Sequence, residues 1–224
     1  MGDLTIKNLS SKDVYDYENA FYWFSDNTRL AKLIAHYELY KKVVNLPGHV
    51  AEFGVFKGNS LIQWGLFRYL LENSSSRKIY GFDAFGNFPK DNINSENDLK
   101  FINNFTADAG TGNSKSDIEE ILKRKKFDNV TLIEGDVRET FPKFIKDNPA
   151  VRFNLVHLDL DVYEPSIYIL EAIEHLIVKG GIIVLDDYAA VEGETIAVDE
   201  YLKKRDTLVI KKLPFRELPS YIEF

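Results

Sequence analysis

Residues 207–224 read TLVIKKLPFRELPSYIEF, and this stretch decides the fold. The runs TLVIKKL from Thr207 and SYIEF from Ser220 have the β-branched and aromatic content of strands. Residues 214–219 between them are too few for a crossover helix. The spacing therefore predicts an antiparallel hairpin at the edge of a sheet.

Upstream of this hairpin, strand-like runs alternate with helical ones from Pro47 onward. Strands are predicted for HVAEFGVF from His49, KIYGFD from Lys78, NVTLIEG from Asn129, FNLVHLD from Phe153 and GIIVLDD from Gly181. Crossover helices are predicted at residues 60–73, 116–126, 165–178 and 195–204, the second beginning at a capping box of Ser116 and Glu119. This pattern indicates a doubly wound, Rossmann-like α/β sheet, mostly parallel, with helices on both faces. Seven strands that end in an antiparallel hairpin are typical of its methyltransferase variant.

The length of 224 residues and the hydrophobic content of 45% predict one main domain. We place this domain at residues 47–224 and an N-terminal helical appendage or lid at residues 1–46. A helix is predicted from about Asp26 to Leu46, preceded by a peripheral, helical aromatic cluster at residues 15–24. The long connection 83–128 is predicted to form a lid or a wall of a substrate pocket.

The formal charge of −7, from 28 basic and 35 acidic residues, gives no electrostatic reason to bind nucleic acid or an anionic membrane. The N-terminus lacks the basic and apolar regions of a signal peptide, and no window of 18 apolar residues occurs. We therefore expect a soluble, cytoplasmic protein. Because the chain has no cysteine, any metal must bind oxygen or histidine ligands.

The first motif is AEFGVFKGNS, residues 51–60, at the end of the first strand of the main sheet. Gly54 and Gly58 permit a tight turn, and Asn59 and Ser60 open a helix whose N–H groups are free to bind a ligand. Glu52 suits a ligand that carries an ammonium group. The glycine spacing differs from that of a dinucleotide site, and a plain strand-to-helix turn is the alternative interpretation.

Two further acids follow the next two strands. Asp83 ends the second strand in GFDAFGNFP, where a carboxylate can accept the hydroxyls of a ribose. Asp136 in GDVRETFP follows the third strand, where an adenine amino group would lie. The alternatives are that Asp83 caps a turn and that Asp136 is a solvated acid of a loop.

Four aspartates end the two most apolar strands. HLDLD places Asp159 and Asp161 after the fourth strand, and VLDDY places Asp186 and Asp187 after the fifth. The carboxyl ends of these strands meet at one edge of the sheet, where like charges repel unless a cation is present. Oxygen ligands of this kind select a hard ion such as Mg²⁺. The alternative is that they cap helices and pair with lysines, and the four histidines are interpreted as packed or surface residues.

Taken in order, EFGVFKG, GFDAFGNFP, GDVRETFP, HLDLDVYEPS and GGIIVLDDY resemble the macrocin O-methyltransferase family. The resemblance runs from about Pro47 to Leu202. It implies methyl transfer from S-adenosylmethionine (SAM) to a hydroxyl of a sugar or other small metabolite, with Mg²⁺. It also implies that Asp161 is a general base and that the metal ligands are Asp159, Asp186 and Asp187. Sheets of this kind often dimerise, so a homodimer is an expectation.

Two other functions remain as alternatives at this point. DLDV at a strand end is similar to the nucleophile motif of aspartate-dependent phosphohydrolases, although only one helix and one strand separate Asp161 from Asp186. A catalytically silent subunit that binds SAM is the other. Acids at all the expected positions argue against it.

Overall fold

The computed structural model describes residues 3–224, so Met1 and Gly2 lie outside the description. The strands are β1 (Thr5–Ile6), β2 (Leu9–Ser10), β3 (His49–Phe53), β4 (Ile79–Asp83), β5 (Val130–Glu134), β6 (Phe153–Leu158), β7 (Ile177–Leu185), β8 (Ile210–Lys212) and β9 (Ser220–Glu223). The α-helices are α1 (Val14–Phe24), α2 (Asn27–Val43), α3 (Asn59–Leu71), α4 (Glu96–Ala109), α5 (Lys115–Lys125), α6 (Val137–Asp147), α7 (Tyr163–Ile173) and α8 (Glu192–Leu202). Short 3₁₀ turns precede α1 and follow α7.

The main sheet has seven strands in the order β5-β4-β3-β6-β7-β9-β8. The first five of these strands are parallel, whereas β9 pairs antiparallel with both β7 and β8. The predicted fold class and the terminal hairpin are therefore confirmed. The chain runs outward from β3 to β5 and then returns to β6, so the edge between β3 and β6 is the point where the winding reverses.

Apolar side chains cover both faces of this sheet. One face buries residues such as Phe53, Phe82 and Phe153 under α6, α7 and α8, and the other buries residues such as Trp64 and Ile182 under α2, α3 and α5. The helix α2 belongs to the second layer, because Ala35, Leu39, Tyr40 and Val43 are fully buried there. By contrast, α1 contains no buried residue, which agrees with the peripheral helix expected for the aromatic cluster.

Two expectations about helices were wrong. The capping box of α5 is formed by Ser114 and Asp117, not by Ser116 and Glu119, because the Ser114 hydroxyl accepts the Asp117 N–H and so begins the helix two residues earlier. The second concerns α6, which joins β5 to β6 and was absent from the predicted crossovers. Pro142 lies inside this helix, and a proline in such a sequence favours the end or a kink of a helix over its continuation.

The long connection after β4 contains the ordered helix α4. Asp98 of α4 is buried, and its carboxylate accepts the backbone N–H of Tyr163 at the start of α7, at 2.8 Å. Ile102 on the same helix is fully buried against Val162. The segment is therefore fastened to the domain as a wall. No helix within residues 3–224 has the length and apolar character that a membrane span requires.

Gly54 lies directly after β3, at the point where the winding of the sheet reverses. It contacts Asp159, the residue directly after β6. The Gly54 backbone has φ +94°, and a Cβ atom placed there would lie 1.7 Å from the Asp159 carbonyl oxygen. The Asp159 N–H in turn donates to the Phe53 carbonyl at 2.9 Å. Gly54 thus permits close packing between two strand ends, one of which carries the first predicted metal ligand.

We predict that Gly54→Ala destabilises the fold more than Gly86→Ala. Both glycines have positive φ, +94° and +102°, so each alanine costs about 1–2 kcal/mol in backbone strain. A Cβ at Gly86 meets no atom within 4 Å, so only Gly54→Ala adds a steric cost, of about 1–3 kcal/mol. Urea denaturation of both variants measures the difference. Equal losses in the free energy of unfolding would contradict this account.

Candidate active site

A cavity of about 850 Å³ opens at the carboxyl edge of the main sheet. Its floor is formed by the loops after β3, β4, β5, β6 and β7, and its walls by α4 and by residues of the two N-terminal helices, among them Phe21, Arg29 and Lys32. Most of the predicted site residues line this cavity: Gly54, Asn59, Ser60, Asp83, Asp136, Asp159, Asp161, Asp186 and Asp187. Glu52 and Gly58 are buried and do not line it.

The loop after β3 turns directly into α3. Gly58 has φ +86° and stands immediately before this helix, so Asn59 and Ser60 form its first turn and face the cavity. The Ser60 hydroxyl donates to the Glu52 carboxylate at 3.0 Å. Glu52 is fully buried within β3, so it cannot meet a ligand directly without a change in the surrounding packing.

Asp83 stabilises the same loop. One of its carboxylate oxygens accepts the backbone N–H groups of Val55 and Phe56, at 2.7 and 2.9 Å, and the other accepts that of Phe85 at 2.5 Å. The turn-capping alternative therefore describes part of what Asp83 does. Each carboxylate oxygen has more than one lone pair, so Asp83 retains acceptor capacity toward the cavity.

Asp136 lies at the N-terminus of α6. Its carboxylate accepts the backbone N–H of Arg138 at 2.8 Å and forms an ion pair with the Arg138 guanidinium at 2.5 Å. The hydrogen bond from Arg138 lowers the pKa of Asp136 despite its partial burial. Asp136 therefore lines the cavity as a paired, charged helix cap.

The four aspartates converge on the cavity, in two arrangements. Carboxylate oxygens of Asp159, Asp161 and Asp187 lie within 4.8 Å of one another. Asp186 stands beside them, at the end of β7, and its side chain turns toward α2 and β6. The backbone of Asp161 has φ +63°, a conformation that aspartate and asparagine tolerate better than most residues.

Asp186 is almost fully buried and has basic partners on both of its oxygens. Lys32 of α2 pairs with Oδ2. The Nε2 atom of His157 lies 3.3 Å from Oδ1, and that of His36 lies 3.5 Å from the same oxygen. The other ring nitrogen of His157, Nδ1, lies 3.5 Å from Oε2 of Glu52. A buried imidazole therefore joins the acid of the first motif to one of the four aspartates.

The pKa values reflect this crowding of charge. Burial and the charge of Asp186 raise the pKa of Asp159 well above its usual range, and burial and Asp187 do the same for Asp161. Burial and Asp186 raise the pKa of Asp187 to about 6. Burial also opposes ionisation of Asp186, but His157 and Lys32 outweigh it and lower its pKa. The group thus carries excess negative charge that its present partners only partly compensate.

Several residues of this site were not identified from the sequence. They are Lys32 and His36, which α2 brings in from outside the motifs, and Glu194 of α8, whose carboxylate accepts the Asp187 N–H at 3.1 Å. His157 was interpreted as a packed histidine, and it is packed, but between two acids. The i, i+4 spacing of Lys32 and His36 places both on one helical face, which is the one signal the sequence offered.

Comparison with known proteins identifies the family of this chain. The family model described as Macrocin-O-methyltransferase (TylF) matches residues 13–211. The chain belongs to the macrocin O-methyltransferase family. The resemblance read from the five motifs is confirmed, and the match begins before Pro47 and includes both N-terminal helices.

Two methyltransferases from Streptomyces species are moderately similar to this chain. A tetracenomycin-C 4'-O-methyltransferase of Streptomyces olivaceus, whose substrate carries a dimethoxyrhamnosyl group, is 26% identical over 70% of the chain. Demethyldecarbamoylnovobiocin O-methyltransferase of Streptomyces niveus is 27% identical over 72%. The matched regions span only 58% and 61% of these two proteins.

The crystal structure of a calicheamicin methyltransferase superposes with a TM-score of 0.73 at 27% identity, covering 94% of this chain and 85% of that one. Such relatives favour the methyltransferase interpretation over the phosphohydrolase one. In this chain, each of the five motifs that resemble the macrocin O-methyltransferase family contributes residues to the same cavity.

We predict that Asp187→Asn raises stability in metal-free buffer, and that the gain grows with pH. The pKa of Asp187 in the folded protein, about 6, lies above the usual value of 3.8. Ionisation of Asp187 therefore lowers the free energy of unfolding of the wild-type protein as pH rises through that window. Between pH 5 and pH 8 the variant should gain about 1 kcal/mol relative to wild type. Thermal or urea unfolding in the presence of a chelator measures this.

The matched control is Asp26→Asn at the N-cap of α2. Hydrogen bonds from Thr28 lower the pKa of Asp26, so there the wild type should gain stability over the variant as pH rises. A pH-independent difference for Asp187→Asn would contradict the crowding of charge described above.

Proposed function

We propose that this protein transfers a methyl group from SAM to a hydroxyl of a sugar or other small metabolite. The observation that carries the proposal is the single cavity in which the loop after β3, Asp83 and the four aspartates meet, in a member of an O-methyltransferase family. The sugar part of the proposal is supported by the relative from Streptomyces olivaceus, a methyltransferase of a rhamnosyl-bearing tetracenomycin.

The residues around the first motif fit a nucleoside cofactor. Asn59 and Ser60 present the first turn of α3, where backbone N–H groups favour a carboxylate such as that of a methionine moiety. Asp83 supplies an acceptor at the end of β4 for ribose hydroxyls, and Asp136 lies one strand farther along the same edge. These positions are neighbours because β3, β4 and β5 are adjacent and parallel.

The donor set also fits a hard divalent cation. Asp159, Asp161, Asp186 and Asp187 offer oxygen ligands only, and burial together with neighbouring carboxylates raises the pKa of Asp159 and Asp161. We propose that Asp159, Asp186 and Asp187 hold Mg²⁺. Bound there, the ion would supply positive charge that favours ionisation of an acceptor hydroxyl.

Asp161 is our candidate for the general base. It lines the cavity beside the proposed ligands, and its left-handed backbone carries it beyond the end of β6. There its carboxylate would take the proton of the acceptor hydroxyl as the oxygen bonds to the methyl carbon of SAM, whose bond to sulfur breaks with S-adenosylhomocysteine as the leaving group. Asp83 and the first turn of α3 hold the methyl donor, while α4 and the N-terminal helices exclude water and orient the acceptor.

We predict that Asp83→Ala weakens binding of S-adenosylhomocysteine by at least about tenfold, because one or two charge-assisted hydrogen bonds are lost. Isothermal titration calorimetry measures the affinity. Exposed Asp108, on α4 and outside the cavity lining, gives the control variant Asp108→Ala. Circular dichroism should be recorded in parallel, since Asp83 also supports the loop after β3. Wild-type affinity in a folded Asp83→Ala protein would remove Asp83 from the cofactor site.

We predict different effects for the proposed base and a proposed ligand. Asp161→Asn should retain divalent-ion binding and lower turnover by about 10²-fold or more. Asparagine tolerates the left-handed backbone, so this variant should keep the fold. Asp186→Asn should weaken ion binding, and excess Mg²⁺ should partly restore its activity. The measurements are Mn²⁺ affinity by electron paramagnetic resonance and methyl transfer to a panel of sugars. Full activity after exhaustive chelation would exclude the metal, and normal turnover by Asp161→Asn would exclude this base.

A further inference from the structure

Lys32 reaches the aspartates from a helix that lies outside the sheet. It stands in the second turn of α2, and its ammonium group pairs with Oδ2 of Asp186. Its side chain is 25% exposed toward the cavity, whereas that of Asp186 is only 3% exposed. The ammonium group therefore approaches Asp186 from the open side of the site.

The position of Lys32 is fixed by the packing of its helix. Ala35, Leu39, Tyr40 and Val43, on the following turns of α2, are fully buried in the main core. His36, one turn after Lys32, is buried as well, and its Nδ1 atom lies 2.8 Å from the Gln63 amide oxygen of α3. The backbone that carries Lys32 is thus held in place, and only the flexible end of its side chain is free to move.

The charges around the ammonium group are those of the proposed metal ligands. Lys32 interacts electrostatically with Asp186, Asp159 and Asp187, which are the three carboxylates assigned to the ion. From the other elements packed there, His157 of β6 and His36 of α2 face Asp186, and Asp161 and Glu194 add negative charge. Lys32 therefore supplies to this group the kind of charge that a divalent ion would supply.

We propose that Lys32 is a built-in counter-cation that competes with the divalent ion for Asp186 and thereby sets the metal affinity of the site. The inference rests on the proposed metal centre. An ammonium group on an oxygen of Asp186 draws its negative charge away from an ion, and two positive charges that share these carboxylates repel each other. Ion binding therefore releases the ammonium group from Asp186 into the cavity that Lys32 lines.

This role reverses the effect that an ordinary supporting residue would have. If Lys32 only held Asp186 in position for the ion, its removal would weaken metal binding. If Lys32 competes with the ion, its removal should strengthen metal binding. Lys32→Met keeps the length and apolar stem of the side chain but removes the charge. This variant should bind Mn²⁺ at least about tenfold more tightly than wild type, since both the competition and the repulsion disappear.

The experiment measures Mn²⁺ affinity by electron paramagnetic resonance on four proteins: wild type, Lys32→Met, Lys32→Arg and Arg29→Met. Lys32→Arg keeps the charge and should stay near the wild-type affinity. Arg29 lines the same cavity one turn earlier on α2, so Arg29→Met controls for loss of a nearby positive charge that has no ion pair with Asp186. Melting curves with and without Mn²⁺ accompany the titration. Lys32→Met should be less stable than wild type without the ion and should gain more from it.

Each outcome decides the question. Tighter binding in Lys32→Met alone supports the competition, and unchanged or weaker binding overturns it. Equal tightening in Arg29→Met would also overturn it, because the effect would then be general. If Lys32→Met folds only with Mn²⁺ present, Lys32→Arg carries the test, and a tenfold change in its affinity would overturn the proposal. Failure of every protein, wild type included, to bind Mn²⁺ would overturn the proposed metal centre together with this inference.

Discussion

The parallel pairing of β3 with β6 is the constraint on which the site depends. The two strands are distant in the sequence but adjacent in the sheet, and their ends touch where Gly54 meets the Asp159 carbonyl. This contact places the candidate cofactor loop beside the first of the four aspartates. The register continues to β7, where the Asp186 N–H donates to the Leu158 carbonyl at 3.1 Å. Backbone hydrogen bonds therefore fix the spacing between the groups that are proposed to bind the two reactants.

The apolar core offsets the unfavourable free energy of burying these four acids close together. Burying several carboxylates close together opposes folding, as the raised pKa values of Asp159 and Asp161 indicate. The opposing term is the large apolar surface buried on both faces of the sheet, which includes stacked phenylalanines such as Phe53 and Phe82, with ring centroids 4.8 Å apart. Destabilised sites on stable frames are common in enzymes, because groups that must react are seldom those that pack best.

Much of the fold could be predicted because its signals are local. Apolar runs, turns and the short connection between β8 and β9 each lie within a few residues, and the order of the strands follows from known rules for parallel sheets. The helix α6 was missed because its sequence contains Pro142, a residue that normally ends or kinks a helix. The aspartates were expected at one edge of the sheet because that conclusion also needs only the ends of strands.

The partners of those aspartates were harder to predict. Lys32 lies 154 residues from Asp186 in the sequence, and no periodic pattern relates them. Which oxygen of Asp186 faces His157 depends on side-chain rotation, which strand spacing does not determine. The roles of Asp159, Asp161, Asp186 and Asp187 as ligands or base remain predictions. The carboxylates of Asp159, Asp161 and Asp187 lie within 4.8 Å of one another, whereas that of Asp186 faces Lys32, His36 and His157.

The placement of α2 has a consequence for engineering this protein. The N-terminal helices resemble a separate module that could be exchanged, since α1 is peripheral and the main sheet begins only at β3. Their modularity is incomplete, however, because α2 contributes both to the hydrophobic layer and to the electrostatics of Asp186. A chimera that imports another N-terminus would therefore also alter the charge balance around the four aspartates. Grafting is better begun between α1 and α2, near Ser25, than at the boundary with the sheet.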